Sequence, residues 1–113
     1  MTITTTRDGP TVNCERITFT GINPGDTANG VLISGASGAI GAVQVHGTLG
    51  GATISLQVSN DNVNFFSLAD SAGTAITFTA AGLRDFSTAA AFIRPDITGG
   101  TGSDVTVTVV LRT

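Results

Sequence analysis

The chain has 113 residues, of which 41% are hydrophobic and only 12% charged, and its net charge is -3. That length supports one domain around one core. The charge balance offers no basic patch for nucleic acid, no apolar run reaches membrane-spanning length, and the single cysteine, Cys14, excludes a disulfide-stapled secreted module.

Residues 2–6 are β-prone and read as a terminal strand or as an arm reaching a neighbour, with residues 1–10 the candidate N-terminal arm. Arg7-Asp8-Gly9-Pro10 reads as a turn. Residues 12–20 read as a strand with Ile17 and Phe19 on one face, and residues 21–30 as a loop around Asn23-Pro24-Gly25-Asp26. A brief apolar strand follows at 31–34, then a glycine-rich loop at 35–41. Val43, Val45 and Leu49 alternate with Gln44, His46 and Thr48, the period of a half-buried strand.

The same alternation is strictest in residues 52–59, where Ala52, Ile54, Leu56 and Val58 interleave with Thr53, Ser55, Gln57 and Ser59. Asn60, Asp61 and Asn62 break it, and Phe66 and Leu68 resume it, which predicts an antiparallel hairpin with an Asn/Asp-rich loop. Residues 75–79 carry Ile76 and Phe78 inward, and residues 83–87 carry Phe86 inward. Residues 88–91 fit either a plain connection or one helical turn. Residues 92–97 are extended, and Pro95, lacking an amide hydrogen, belongs at a sheet edge, a bulge or a strand end. From Asp104 onward, Val105, Val107, Val109 and Leu111 occupy one face of a closing strand.

No segment holds a helical period over several turns, and short strands recur between turn signals, as in an all-β sandwich or barrel. The expectation is a single-domain antiparallel β-sandwich, jelly-roll-like, of about eight or nine strands and spanning residues 1–113.

Chemistry-bearing patterns are sparse. Residues 35–41 lack the Gly-Lys-Ser/Thr ending of a phosphate loop, and the chain has no lysine. Ser37 sits in Gly-Ala-Ser-Gly, which is not a nucleophile elbow. His46 is the one histidine, placed on the polar face of a strand, and reads as a surface or interface residue. Asn60, Asp61, Asn62 and Asn64 offer oxygen ligands, but a calcium loop concentrates more carboxylates and ends in a bidentate Glu. The acids are scattered, mostly at turns, and the absence of Trp and Tyr removes the usual stacking platforms for sugars. Arg94 and Asp96 share one face of a strand and are expected to form a surface or interface ion pair. No catalytic, cofactor-binding or metal-binding set emerges, and the chain is expected not to be an enzyme. The opening residues have no apolar core of signal-peptide length. A surface so poor in charge points instead to coverage by partner subunits.

One resemblance goes further. Gly-Ala-Thr-Ile-Ser-Leu-Gln-Val-Ser-Asn-Asp at 51–61, the aromatic at Phe65 or Phe66, and Phe-Ile-Arg-Pro-Asp-Ile-Thr-Gly-Gly-Thr-Gly-Ser-Asp-Val-Thr-Val-Thr-Val at 92–109 resemble small β-rich virion proteins of tailed bacteriophages. That group usually carries Trp or Tyr where this chain has Phe65 and Phe66. The resemblance implies a capsid decoration, or cement, protein on the virion surface, assembled in the host cytoplasm. Its partners would be the major capsid protein and its own copies in a homotrimer, with no nucleic acid, membrane, cofactor or small-molecule substrate. A tail, baseplate or fibre component, receptor-binding in some cases, is the alternative role. The candidate interface residues are Thr2, Ile3, Thr4, Thr5 and Arg7 of the arm, with His46, Phe65, Arg94 and Asp96.

Overall fold

A computed structural model describes residues 4–11, 14–22, 30–32, 39–70, 72–101 and 104–112. Among them are ten strands and no helix: β1 (Thr4–Thr11), β2 (Cys14–Ile22), β3 (Val31–Leu32), β4 (Ala39–Thr48), β5 (Thr53–Ser59), β6 (Phe66–Ser67), β7 (Thr77–Phe78), β8 (Gly82–Thr88), β9 (Phe92–Thr98) and β10 (Asp104–Arg112). They form two antiparallel sheets. The first, sheet A, has the order β1-β2-β10-β4-β8, and the second, sheet B, the order β3-β9-β5-β6, with β7 also pairing β5.

Alternation decides which face of each strand is buried. In β10, Val105, Val107, Val109 and Leu111 are buried, and they meet Ile17 and Phe19 of β2 and Val43 and Val45 of β4 in the register Val107↔Phe19, Val109↔Ile17, Val107↔Val45 and Val109↔Val43. Sheet B answers with Ile54 and Leu56 of β5 and Ile93 and Ile97 of β9. Leu49, Ala52, Leu68, Ile76, Phe78 and Phe86 complete one continuous core, so the fold is a sandwich-like all-β arrangement.

The register between β2 and β10 slips by one residue between Val105↔Ile22 and Val107↔Phe19. Gly21 takes the extra position with φ of 73°, a left-handed conformation that costs glycine little. The bulge lets Phe19 and Ile22 both point inward, although strict alternation would have turned residue 21 to the core.

Two expectations change here, and one left open is settled. Arg7-Asp8-Gly9-Pro10 is not a turn but part of β1, whose pairing runs from Thr4↔Thr20 to Thr11↔Cys14 with a shift between Asp8 and Thr11. The Gly-Pro turn chemistry is absorbed by an irregularity in an edge strand, where a missing amide hydrogen is tolerated. From Thr4 onward the candidate arm is therefore bound to its own sheet. Phe66, expected to resume the buried alternation, is 70% exposed. It pairs with Val58, but β6 is a two-residue strand at the rim of its sheet. Residues 88–91, left open between connection and helical turn, form a connection: Ala90 N donates to Thr88 Oγ1 (3.1 Å) and Ala91 N to Ser59 O (3.1 Å). Pro95 lies beyond the reach of β3, which pairs only with Phe92 and Ile93, so β9 there has a described partner on one side alone.

Outside the strands, the Arg84 guanidinium on β8 pairs with the Asp70 carboxylate in the turn that follows β6, tying the edge of sheet A to sheet B. Asp70 Oδ1 also accepts from Ala72 N and Thr74 N, both at 3.0 Å.

Phe19 is fully buried at the centre of the sandwich, and Phe19→Ala is expected to cost about 3–5 kcal/mol of unfolding free energy by denaturant titration. Gly21→Ala is expected to cost about 1–2 kcal/mol through the left-handed backbone alone, with no loss of core volume.

Candidate functional site

Of the residues singled out from sequence, the structure brings together Phe65 and Arg94, and the others do not join them in one site. Thr2 and Ile3 lie outside the described residues, as do Ser37 and residues 35–38 of the glycine-rich loop. Thr4, Thr5 and Arg7 belong to β1 at one edge of sheet A, opposite Thr20, Phe19 and Ile17. His46 is exposed on the outer face of the same sheet, opposite Thr106 of β10. Phe65, Arg94 and Asp96 sit on sheet B. The candidate interface residues are thus spread over the outsides of both sheets and one edge.

On sheet B, Arg94 of β9 stands opposite Gln57 of β5, and its Nε donates to Gln57 Oε1 at 2.8 Å. Its guanidinium lies 3.8 Å from the centroid of the Phe65 ring, in stacking contact. The expected Arg94–Asp96 ion pair does not form: residues two apart on a strand share a face but are separated by one full pleat repeat, about 7 Å, and Gln57 lies directly across instead. Asp96 is half-buried opposite Ser55. Phe65 is half-buried beneath Arg94, while the neighbouring Phe66 is exposed.

The β5–β6 loop is organised by one carboxylate. Asp61 Oδ1 accepts from Val63 N (2.9 Å), Asn64 N (2.8 Å) and the Ser59 hydroxyl (2.8 Å), and Asp61 Oδ2 accepts from Asn64 Nδ2 (2.9 Å). Ser59 Oγ, itself buried, accepts from Asp61 N (3.2 Å) and Asn62 N (3.0 Å). Asn62 adopts φ of 60°, the left-handed geometry that Asn tolerates. Asn60 Oδ1 accepts from Ala91 N at 3.2 Å, which fastens the loop to the β8–β9 connection. Gly30 packs so closely on this loop that a Cβ there would overlap Asn62 Oδ1 and the Phe65 ring. The Asp61 carboxylate is thus occupied by donors of its own loop. Among the described residues no group of three or more His, Cys, Asp or Glu side chains is placed to hold a metal ion.

Beside the loop lies an open hollow of about 450 Å³ lined by Val58, Ser59, Asn60, Asp61, Asn64, Phe66 and Ala90. A second, of about 430 Å³, lies on the outer face of sheet A and is lined by Ile40, Gly41, Ala42, Asp85, Val110 and Arg112. Ile40 and Leu83, 69% and 62% exposed, are the large apolar side chains of that face. Sequence reading missed Ile40 because residues 35–41 look like a loop. Ile40 in fact stands two places before Ala42 on β4, on the side opposite the buried Val43 and Val45.

The Asn64 amide, foremost among its donors, holds the Asp61 carboxyl well below the usual carboxylate range. The Thr74 amide lowers Asp70, against some desolvation, with Arg84 and the Ala72 amide assisting. Both groups bind fewer protons in the folded than in the unfolded chain, where an aspartate titrates near 3.9. The stability they contribute is present above that value and is lost as pH falls below it. The thermal midpoint is expected to be nearly flat between roughly pH 5 and 7 and to drop below about pH 4. Asp61→Asn should lower the midpoint at neutral pH and shallow the acid drop, as read by circular dichroism melts across that range.

No protein-family model matches the chain, and no curated protein matches it at a significant level.

Proposed function

We propose that the chain is a structural component of a tailed-bacteriophage head: a decoration (cement) protein that binds outside the shell and bridges major capsid proteins against the pressure of packaged DNA. The observation that carries this reading is the outer face of sheet A. Thr18, Thr106, Thr108, Gln44, Ala42 and Val110 make it broad, small-featured and hydroxyl-rich, and Ile40 and Leu83 stand exposed beside it. A face built mainly of hydroxyl and small apolar side chains suits contact with other protein surfaces better than free solvation. The role is mechanical and non-catalytic. Contacts repeated over many symmetric positions sum to high avidity although each is weak. Copies cluster as homotrimers at threefold positions of the shell, with the virion surface as the final location.

The strand order supports the jelly-roll form of the sandwich. The series β2-β10-β4-β8 and β3-β9-β5-β6 alternate early and late strands in both sheets, as two interlocked Greek keys do, and β1 adds an edge strand.

A tail, baseplate or fibre role is favoured by a different observation. The exposed Phe66 lines an open hollow beside a loop braced by Asp61, and Val63 is exposed on the same loop, a shape suited to recognition of a host surface.

Quantitative mass spectrometry of purified particles that carry this chain separates the two roles. A decoration protein is expected at a copy number approaching that of the major capsid protein. A copy number in the range of the tail proteins would reject the head assignment and leave the recognition role standing.

A further inference from the structure

The outer face of sheet A has its charges arranged in an unequal way. Asp8 and Arg16 stand opposite each other on β1 and β2 and close on one another, with Arg16 Nε and Nη2 donating to the two carboxylate oxygens at 3.1 and 2.6 Å. Asp104 lies at the far end of β10, opposite Thr48. Asp85 and Arg112 remain, both exposed, and neither makes an ion pair or side-chain hydrogen bond among the described residues.

The register fixes where these two stand. Across the sheet, Val110 faces Ala42, which faces Asp85, while Arg112 faces Ile40, which faces Ser87. The carboxylate and the guanidinium therefore occupy opposite corners of a strip formed by Val110, Ala42 and Ile40. Sheet spacings put their Cα atoms about 12 Å apart, too far to meet within one chain. The strip is apolar at its centre, and the hollow between the two charges has an apolar floor.

We propose that this strip is a contact between two copies of the chain, related by a two-fold axis that lies along the face and passes between Ile40 and Ala42. Such an axis carries Asp85 of each copy onto Arg112 of the other and Ile40 onto the facing β4. One anion and one cation at opposite ends of an apolar patch satisfy the self-complementarity that a two-fold contact requires. A partner of different sequence would have to supply both charges at the same spacing. The patch carries no net charge, so it offers no steering toward a charged macromolecule. The contact is tested on the free chain, apart from the head assignment; it takes the Ile40 end of the outer face of sheet A and leaves the part around Thr18, Thr106, Thr108 and Gln44 to the shell. A threefold cluster would use other surfaces, and the two-fold contact would link one cluster to the next.

Sedimentation equilibrium of the full chain over a wide concentration range tests it. The unmodified chain is expected to self-associate in even-numbered assemblies. Asp85→Arg and Arg112→Asp should each weaken that association at least about tenfold. The Asp85→Arg/Arg112→Asp double variant, which exchanges the two charges, should recover most of the loss. Ile40→Glu, on an exposed position with no part in the core, should abolish association while the circular dichroism spectrum and melt stay those of the folded chain. Absence of self-association up to roughly millimolar concentration would overturn the proposal. So would an assembly indifferent to all the single substitutions, or a double variant no better than either single one. None of these results depends on particles, so the pair and the head assignment fail separately.

Discussion

Strand β10 lies between β2 and β4 and turns Val105, Val107, Val109 and Leu111 into the core. It pairs along its whole length with β4, from Asp104↔Thr48 to Arg112↔Ile40, and with β2 on its other side. Its inward face is β-branched at three of those positions, which suits a stiff, close-packed layer. Burial of this row against Ile54, Leu56, Ile93 and Ile97 of the other sheet is what makes two sheets into one body. The other ties, the Asp70–Arg84 ion pair and the hydrogen bonds from Ala91 to Ser59 and Asn60, sit at the margins and position loops.

With the inward faces committed to the core, the outward faces are left to set the chain's dealings with its surroundings. They differ in character. Sheet B carries a Phe65–Arg94–Gln57 group, in which Arg94 stacks on Phe65 and bonds Gln57, and the half-buried Asp96. Sheet A carries threonines and small apolar residues, with Asp85 and Arg112 at the corners of the Ile40 strip. Its edges also differ. β1 is interrupted by an irregularity between Asp8 and Thr11, whereas β8 carries Arg84 and Asp85 on an otherwise regular edge. Irregularity and charge are two ways of discouraging indiscriminate strand addition.

Period-two alternation made the core legible before any coordinates. Ile17, Phe19, Val43, Val45, Ile54, Leu56, Ile76, Phe78, Phe86 and the β10 row are all buried as that period requires. What alternation could not reveal are the places where the period breaks. Gly21 reads as the start of a loop, yet it is a bulge inside β2 that brings Ile22 inward. Arg7-Asp8-Gly9-Pro10 has every mark of a turn, and tertiary pairing with β2 overrides it. Phe66 matches the buried pattern and is still exposed, because burial needs an opposing surface as well as a phase. The Asp61 loop was legible as a hairpin loop, but the division of labour between Phe65 and Phe66 was not: it depends on Arg94, 29 and 28 residues further along the chain, closing over one ring and leaving the other bare. Asp85 and Arg112 were equally hidden, since their relation exists only through the register of β4 with both neighbours.

The most direct test of the head assignment is a reconstruction by cryo-electron microscopy of an intact particle carrying this chain. The account predicts density for the sandwich on the outside of the shell at local threefold positions, in contact with more than one major capsid protein. Density confined to the tail, or a shell bare of it, would contradict the account.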